Sequence, residues 1–134
     1  QFHFLLNDFS ALENVALPGY MAGLPRKEAW KRAQELLDMV GLIHRSHHYP
    51  SQLSGGERQK VAIARALINE PSVVLADEPT GNLDAASSKE LRLLLQRLPQ
   101  VAKTTLVLVT HDSELARIGD TSFLLKEGHF ECIR

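Results

Sequence analysis

The chain has 134 residues, enough for one domain, or a piece of one, around a single hydrophobic core. Fifteen Lys and Arg against sixteen Asp and Glu leave a net charge of -1, with 44% hydrophobic and 23% charged residues, so bulk charge gives no case for binding nucleic acid. No apolar run approaches the roughly 20 residues of a membrane-spanning helix, and the opening has neither basic region nor cleavage site of a signal peptide, so the chain itself is not expected to lie in a membrane.

The sequence opens on Gln1-Phe2-His3-Phe4, without a Met, and is expected to be a piece of a longer protein. The first clear helix is predicted from about Pro25 or Glu28 to Val40, with Ala29, Ala33, Leu36, Leu37 and Val40 on one face and Gly41 as the stop. A loop containing His44, His47 and His48 follows; with His3 these have no Cys or carboxylate at ligand-like spacing, and they read as solvated rather than metal-binding. A second helix is predicted after Ser54-Gly55-Gly56, carrying Val61, Ala62, Ala64, Leu67 and Ile68 until Asn69-Glu70-Pro71 ends it.

The pattern then changes. Val73–Ala76 and Thr105–Val109 are short continuous apolar runs that read as strands buried on both faces. Between them Leu91, Leu94, Leu95 and Leu98 recur at helical spacing within Ser87–Leu98, which makes a βαβ unit with parallel strands and a right-handed crossover. Thr121–Leu125 and Phe130–Ile133 flank Glu127-Gly128 as a terminal hairpin. The lone Cys132 excludes an internal disulfide and fits a reducing compartment.

Chemistry-bearing residues gather at the ends of these elements. Ser54, Gly55 and Gly56 at a helix start supply what an anion needs to approach backbone N–H groups, although Ser-Gly-Gly alone is more often an N-cap with a flexible lead-in. Asp77 and Glu78, delivered together at a strand end, form a pair in which one acid can face a hydrated Mg²⁺ and its neighbour an attacking water. Asp-Glu-Pro is equally good turn chemistry. His111, closing the next parallel strand, belongs at the same edge, where open α/β sheets bind ligands.

Leu53–Gln59, Val73–Glu78, Gly81-Asn82-Leu83-Asp84 and His111, in this order, resemble the signature motif, Walker B motif, D-loop and H-loop of the ABC ATPase family, with Gln1 where its Q-loop glutamine falls. The resemblance covers essentially the whole chain. It implies a P-loop NTPase-like α/β fold, with residues 1–72 as the Q-loop and helical subdomain and 73–134 as the C-terminal part of a mostly parallel sheet core. It also implies that two such subunits sandwich two ATP molecules head to tail. Glu78 would be the general base, His111 a γ-phosphate contact, and Asp77, with Gln1, a largely indirect support for Mg²⁺. Ser54, Gly55, Gly56 and Gln59 would meet the nucleotide of the opposite subunit, with Asp84 at the interface.

The family's Walker A motif, Gly-x-x-x-x-Gly-Lys-Ser/Thr, and its adenine-stacking aromatic do not occur in this sequence. These 134 residues alone are therefore expected to bind ATP poorly and to hydrolyse none. Lys60 stands where close relatives carry Arg. Gln-Phe-His with Leu5-Leu6, and Ala11-Leu12-Glu13-Asn14-Val15-Ala16-Leu17-Pro18, resemble the subgroup of lipoprotein-releasing, macrolide-exporting and cell-division ATPases, and most of all its lipoprotein-releasing branch. That implies a peripheral subunit on the cytoplasmic face of a bacterial inner membrane, with a transmembrane permease docking near Phe4–Tyr20 and no nucleic acid partner. The other two branches, and a soluble ABC ATPase without a membrane partner, are the alternative readings.

Overall fold

A computed structural model describes residues 4–133. Gln1, expected as a catalytic and Mg²⁺-sensing residue, lies outside the described residues. The chain begins with three helices, α1 (Ala11–Met21), α2 (Arg26–Met39) and α3 (Gly55–Leu67), with two single 3₁₀ turns between α2 and α3. After them come β1 (Val73–Asp77), α4 (Ala85–Ala102), β2 (Thr105–Val109), the short α5 (Ser113–Ala116), and the hairpin strands β3 (Phe123–Lys126) and β4 (His129–Cys132). Among the described residues no helix is long and apolar enough to cross a membrane.

The sequence pattern foresaw α2, α3 and α4, though α4 begins two residues earlier and ends four later than expected. It did not foresee α1. Ser10 starts that helix through a capping box: its hydroxyl accepts the Glu13 N–H at 3.3 Å, and the Glu13 carboxylate accepts the Ser10 N–H at 2.7 Å. Pro18 interrupts the usual signature, and buried Ala11, Leu12, Asn14, Val15, Ala16 and Gly19 are spread too widely round the helix to give a narrow apolar stripe. The helix is wrapped by α2 and α3, and Gly19 allows the closest approach, since a Cβ there would lie 3.1 Å from Leu24 and 3.2 Å from Ile68. Ala29, Ala33 and Leu37 of α2 and Val61 and Ala64 of α3 are fully buried in the same core.

In the second part, β1 and β2 pair in parallel from Val73↔Thr105 to Asp77↔Val109, with α4 as the crossover. Leu91, Leu94, Leu95 and Leu98 are buried, and Leu115 anchors α5. The expectation that both strands are buried on two faces is corrected by the structure. Leu75 and Val109 are 77% and 61% exposed while Val74 is 8% exposed, because α4 packs on one face of the sheet and the other is open within these residues. The terminal hairpin turns through Glu127 and Gly128, both at positive φ (49° and 82°), as a two-residue connection demands.

Candidate functional site

Parallel register sets the first group. Because Asp77 lies opposite Val109, the residues that follow the two strands, Glu78 and Thr110-His111, leave the sheet side by side. Glu78 donates its N–H to the Val109 carbonyl at 2.8 Å and then turns away at φ 45°, a left-handed conformation that costs a non-glycine residue about 1–2 kcal/mol. The Gly81 N–H closes the turn on the Glu78 carbonyl at 2.9 Å. The bend brings the carboxylate back over the end of β2. Its Oε1 accepts the His111 N–H at 2.8 Å and the His111 ring Nδ1–H at 2.7 Å, and its Oε2 accepts the Thr110 hydroxyl at 3.2 Å.

Burial acts to raise the Glu78 pKa, but the bonds and charge of His111 and the Thr110 hydroxyl outweigh it and hold the carboxyl below its ordinary range. Ionised carboxylate can only accept, so Nδ1 carries the ring proton, and Nε2 remains on an imidazole that is 88% exposed. Asp77, one residue earlier, is an exposed oxygen donor at the same edge. Among the described residues no group of three His, Cys, Asp or Glu could hold a metal ion.

The second group forms where α3 meets the start of α4. Ser54 is the N-cap of α3, exposed, with its hydroxyl on the Glu57 N–H at 3.2 Å and the Glu57 carboxylate on its own N–H at 2.8 Å. The first of these alone would identify a cap rather than a ligand site. Gly56 has its own structural reason: a Cβ there would sit 3.0 Å from the Ser87 Cβ and 3.1 Å from its hydroxyl. A Cβ on Gly55 would meet only the tip of Leu83, at 3.3 Å. Asp84 caps α4, accepting the Ala86 and Ser87 N–H groups at 3.0 Å and the Ser87 hydroxyl at 2.7 Å. The Ser87 hydroxyl and backbone bonds hold the Asp84 carboxyl below its usual range. Gln59 is half-buried one turn further along α3, and Lys60 beside it pairs with Glu90 of α4 at 2.8 Å.

The sequence reading passed over three residues that shape these groups. Thr110 and Asp112 flank His111, and Asp112 caps α5 and receives Arg92 of α4 at 3.4 Å. Asn14 is fully buried and holds the loop before α1, accepting the Leu6 N–H at 2.8 Å and donating to the Leu6, Phe9 and Ser10 carbonyls at 3.0, 3.0 and 3.1 Å. Its one signal in the sequence is a polar residue among apolar ones. That loop leaves Phe4, Leu6 and Phe9 at least 39% exposed. Beside it a cleft of about 340 Å³ runs between α1 and α2, lined by Phe9, Glu13, Leu17, Tyr20, Arg26 and Trp30, with the Arg26 guanidinium 5.9 Å above the Trp30 ring.

Residues 1–81 match the family model described as ABC transporter. The chain is 55% identical over 131 residues to the lipoprotein-releasing system ATP-binding protein LolD of Treponema denticola, and 58% identical over 130 residues to that of Hydrogenovibrio crunogenus. These alignments take in 98% and 97% of this chain but 58% and 56% of the relatives, so the chain spans little more than half their length. A dimeric ATP-binding cassette in a post-hydrolysis state, bound to ADP and Pi, superposes with a TM-score of 0.83 at 41% identity, over 100% of this chain and 61% of that one. A dimeric bacterial ABC transporter cassette gives 0.81 at 42% identity, over 98% and 60%. The fold is that of the P-loop NTPase-like α/β cassette.

Proposed function

We propose, from the premise that this chain belongs to the ABC transporter family, that the full-length protein binds and hydrolyses ATP to power a membrane partner. The reaction it serves is the release of lipoproteins from the bacterial inner membrane, a reading supported by the LolD relatives over macrolide export or cell division. The observation that carries the catalytic part is the convergence of Glu78 and His111 at the ends of two adjacent parallel strands. In this reading residues 1–72 are the Q-loop and helical subdomain and 73–134 the C-terminal part of the sheet core.

Glu78, an ionised carboxylate, takes the proton of the attacking water as its oxygen bonds to the γ-phosphorus and the bond from that phosphorus to the β–γ bridging oxygen breaks, the electron pair leaving with ADP. The exposed His111 ring is free to leave Glu78 and offer a hydrogen bond to the γ-phosphate. Mg²⁺, when bound, neutralises charge on the phosphate oxygens, and Asp77 with Gln1 would support it. Ser54 and the N–H groups of Gly55 and Gly56, with Gln59 behind them, face the nucleotide of a second subunit, and the positive end of α3 favours that anion. Asp84 sits at the interface between the two subunits. Splitting the site in this way makes hydrolysis conditional on closure of the head-to-tail dimer. The exposed Phe4, Leu6 and Phe9 and the α1–α2 cleft are the place for a transmembrane permease, which keeps the subunit peripheral at the cytoplasmic face.

The test is the ATPase rate of full-length protein carrying Glu78→Gln. Turnover is expected to fall by at least about a hundredfold, with an ATP-bound dimer accumulating. Wild-type turnover in that variant would remove Glu78 as the base.

A further inference from the structure

We infer that Thr110 is a positioning residue that aims the Glu78 carboxylate, an inference that rests on the reading of Glu78 as general base. The two oxygens of Glu78 are held unequally. Oε1 has both donors of His111, and Oε2 has the Thr110 hydroxyl at 3.2 Å. The backbone of Glu78 is fixed by Val109 and Gly81, but three side-chain torsions separate that backbone from the reacting oxygen. The His111 ring is a poor restraint on them, because it is 88% exposed and is the group expected to turn toward phosphate. Once it turns, the His111 backbone N–H keeps Oε1, and Thr110 is the side chain that fixes the second oxygen and so the rotation of the carboxylate plane.

Thr110 is itself well held. Its oxygen accepts the Asp112 N–H at 3.0 Å, which directs the hydroxyl proton toward Glu78, and its branched Cβ limits rotation about χ1. Asp112 is fastened in turn: Oδ1 accepts the Glu114 and Leu115 N–H groups at 2.8 and 3.3 Å, and Oδ2 takes Arg92 of α4 at 3.4 Å. Arg92 also reaches Glu114 at 2.7 Å, and Leu115 is fully buried. The orientation of Glu78 is thus traced through Thr110 and Asp112 to Arg92 of α4, the helix capped by Asp84.

Thr110→Val keeps the shape and removes the donor; Thr110→Ser keeps the donor. In full-length protein we expect Thr110→Val to lower kcat about tenfold or more, a size typical of a misaimed catalytic group, while KM for ATP stays within about twofold. Thr110→Ser should recover kcat to within about threefold of wild type. Arg92→Gln should show the same kcat-only pattern, more weakly. Equal losses in the Val and Ser variants, a KM that rises as kcat falls, or unchanged kcat in Thr110→Val would each overturn the inference. Glu78→Gln measured alongside separates the two claims: if it is inactive while Thr110→Val is normal, only the positioning role falls, and if it is active the base assignment falls first.

Discussion

The three-helix region and the sheet region handle their apolar residues in opposite ways. In α1–α3 the apolar residues meet one another: Leu12, Val15, Ala29, Ala33, Leu37, Val61 and Ala64 are all at or below 1% exposure. In β1 and β2 the equally apolar Val73, Leu75, Val107 and Val109 are 45–77% exposed, and so are Phe123, Leu124, Leu125 and Phe130 of the hairpin within 48–75%. A helix satisfies its own backbone hydrogen bonds, so three helices can close a core among themselves. A sheet must be covered on each face by something else, and within these 134 residues, which span 58% of a relative's length, one crossover helix covers one face. Burial in the helical region is local, and the chemistry sits at the rim of the region whose burial is not.

The sharpest break of this comparison is a pair of truncations in the 134-residue chain. Leu37→Ala should destabilise it by about 2–5 kcal/mol, while Leu75→Ala should cost less than about 0.5 kcal/mol, read from urea unfolding. Equal costs would show that the open sheet face is packed after all. Next in size is the joint between the regions, where Gly56→Ala pushes a methyl against Ser87; about 1–2 kcal/mol of destabilisation is expected after the gain in helix propensity. Gly55→Ala, meeting only a Leu83 tip, should be close to neutral, and thermal melts of the two variants make the contrast.

The smallest effect concerns pH. In the helical region the Ser10 backbone N–H lowers the Glu13 pKa and the Ser54 backbone N–H lowers that of Glu57, both below 4.5. A carboxyl depressed in the folded state adds stability above its unfolded pKa and loses it as pH falls through the folded value. Melting temperature should therefore drop below about pH 4.5. Glu57→Gln should flatten part of that drop, worth about 0.3–1 kcal/mol, the usual value of an acid at a helix N-terminus. An unchanged acid slope would mean that the α3 cap adds nothing to the pH dependence.

Much of the site could be read before any coordinates. Apolar runs that end abruptly in polar residues drew notice to Asp77, Glu78 and His111, and a hydroxyl with two glycines before an amphipathic helix to Ser54, but each pattern alone also fits a turn or a cap, and the ordered family motifs singled these residues out. Asn14, Thr110 and Arg92 could not be read in this way. Thr110 meets Glu78 thirty-two residues away and Arg92 meets Asp112 twenty residues away, separations that no local pattern encodes, while Asn14 bonds the neighbouring Leu6–Ser10 loop through a backbone path that the residue types do not specify. Helix α1 was hidden because its burial is nearly all round, which erases the periodic stripe on which recognition depends.

The sequence by itself determined which segments become helix or strand over most of the chain, the parallel βαβ order, and the family, since each rests on spacing along the chain. Only the tertiary structure decided that Glu78 bends back onto Thr110 and His111, that Gly56 is required by Ser87, and that one sheet face stands open. Those outcomes depend on distances between residues far apart in sequence, fixed by strand register and helix packing rather than by local propensity.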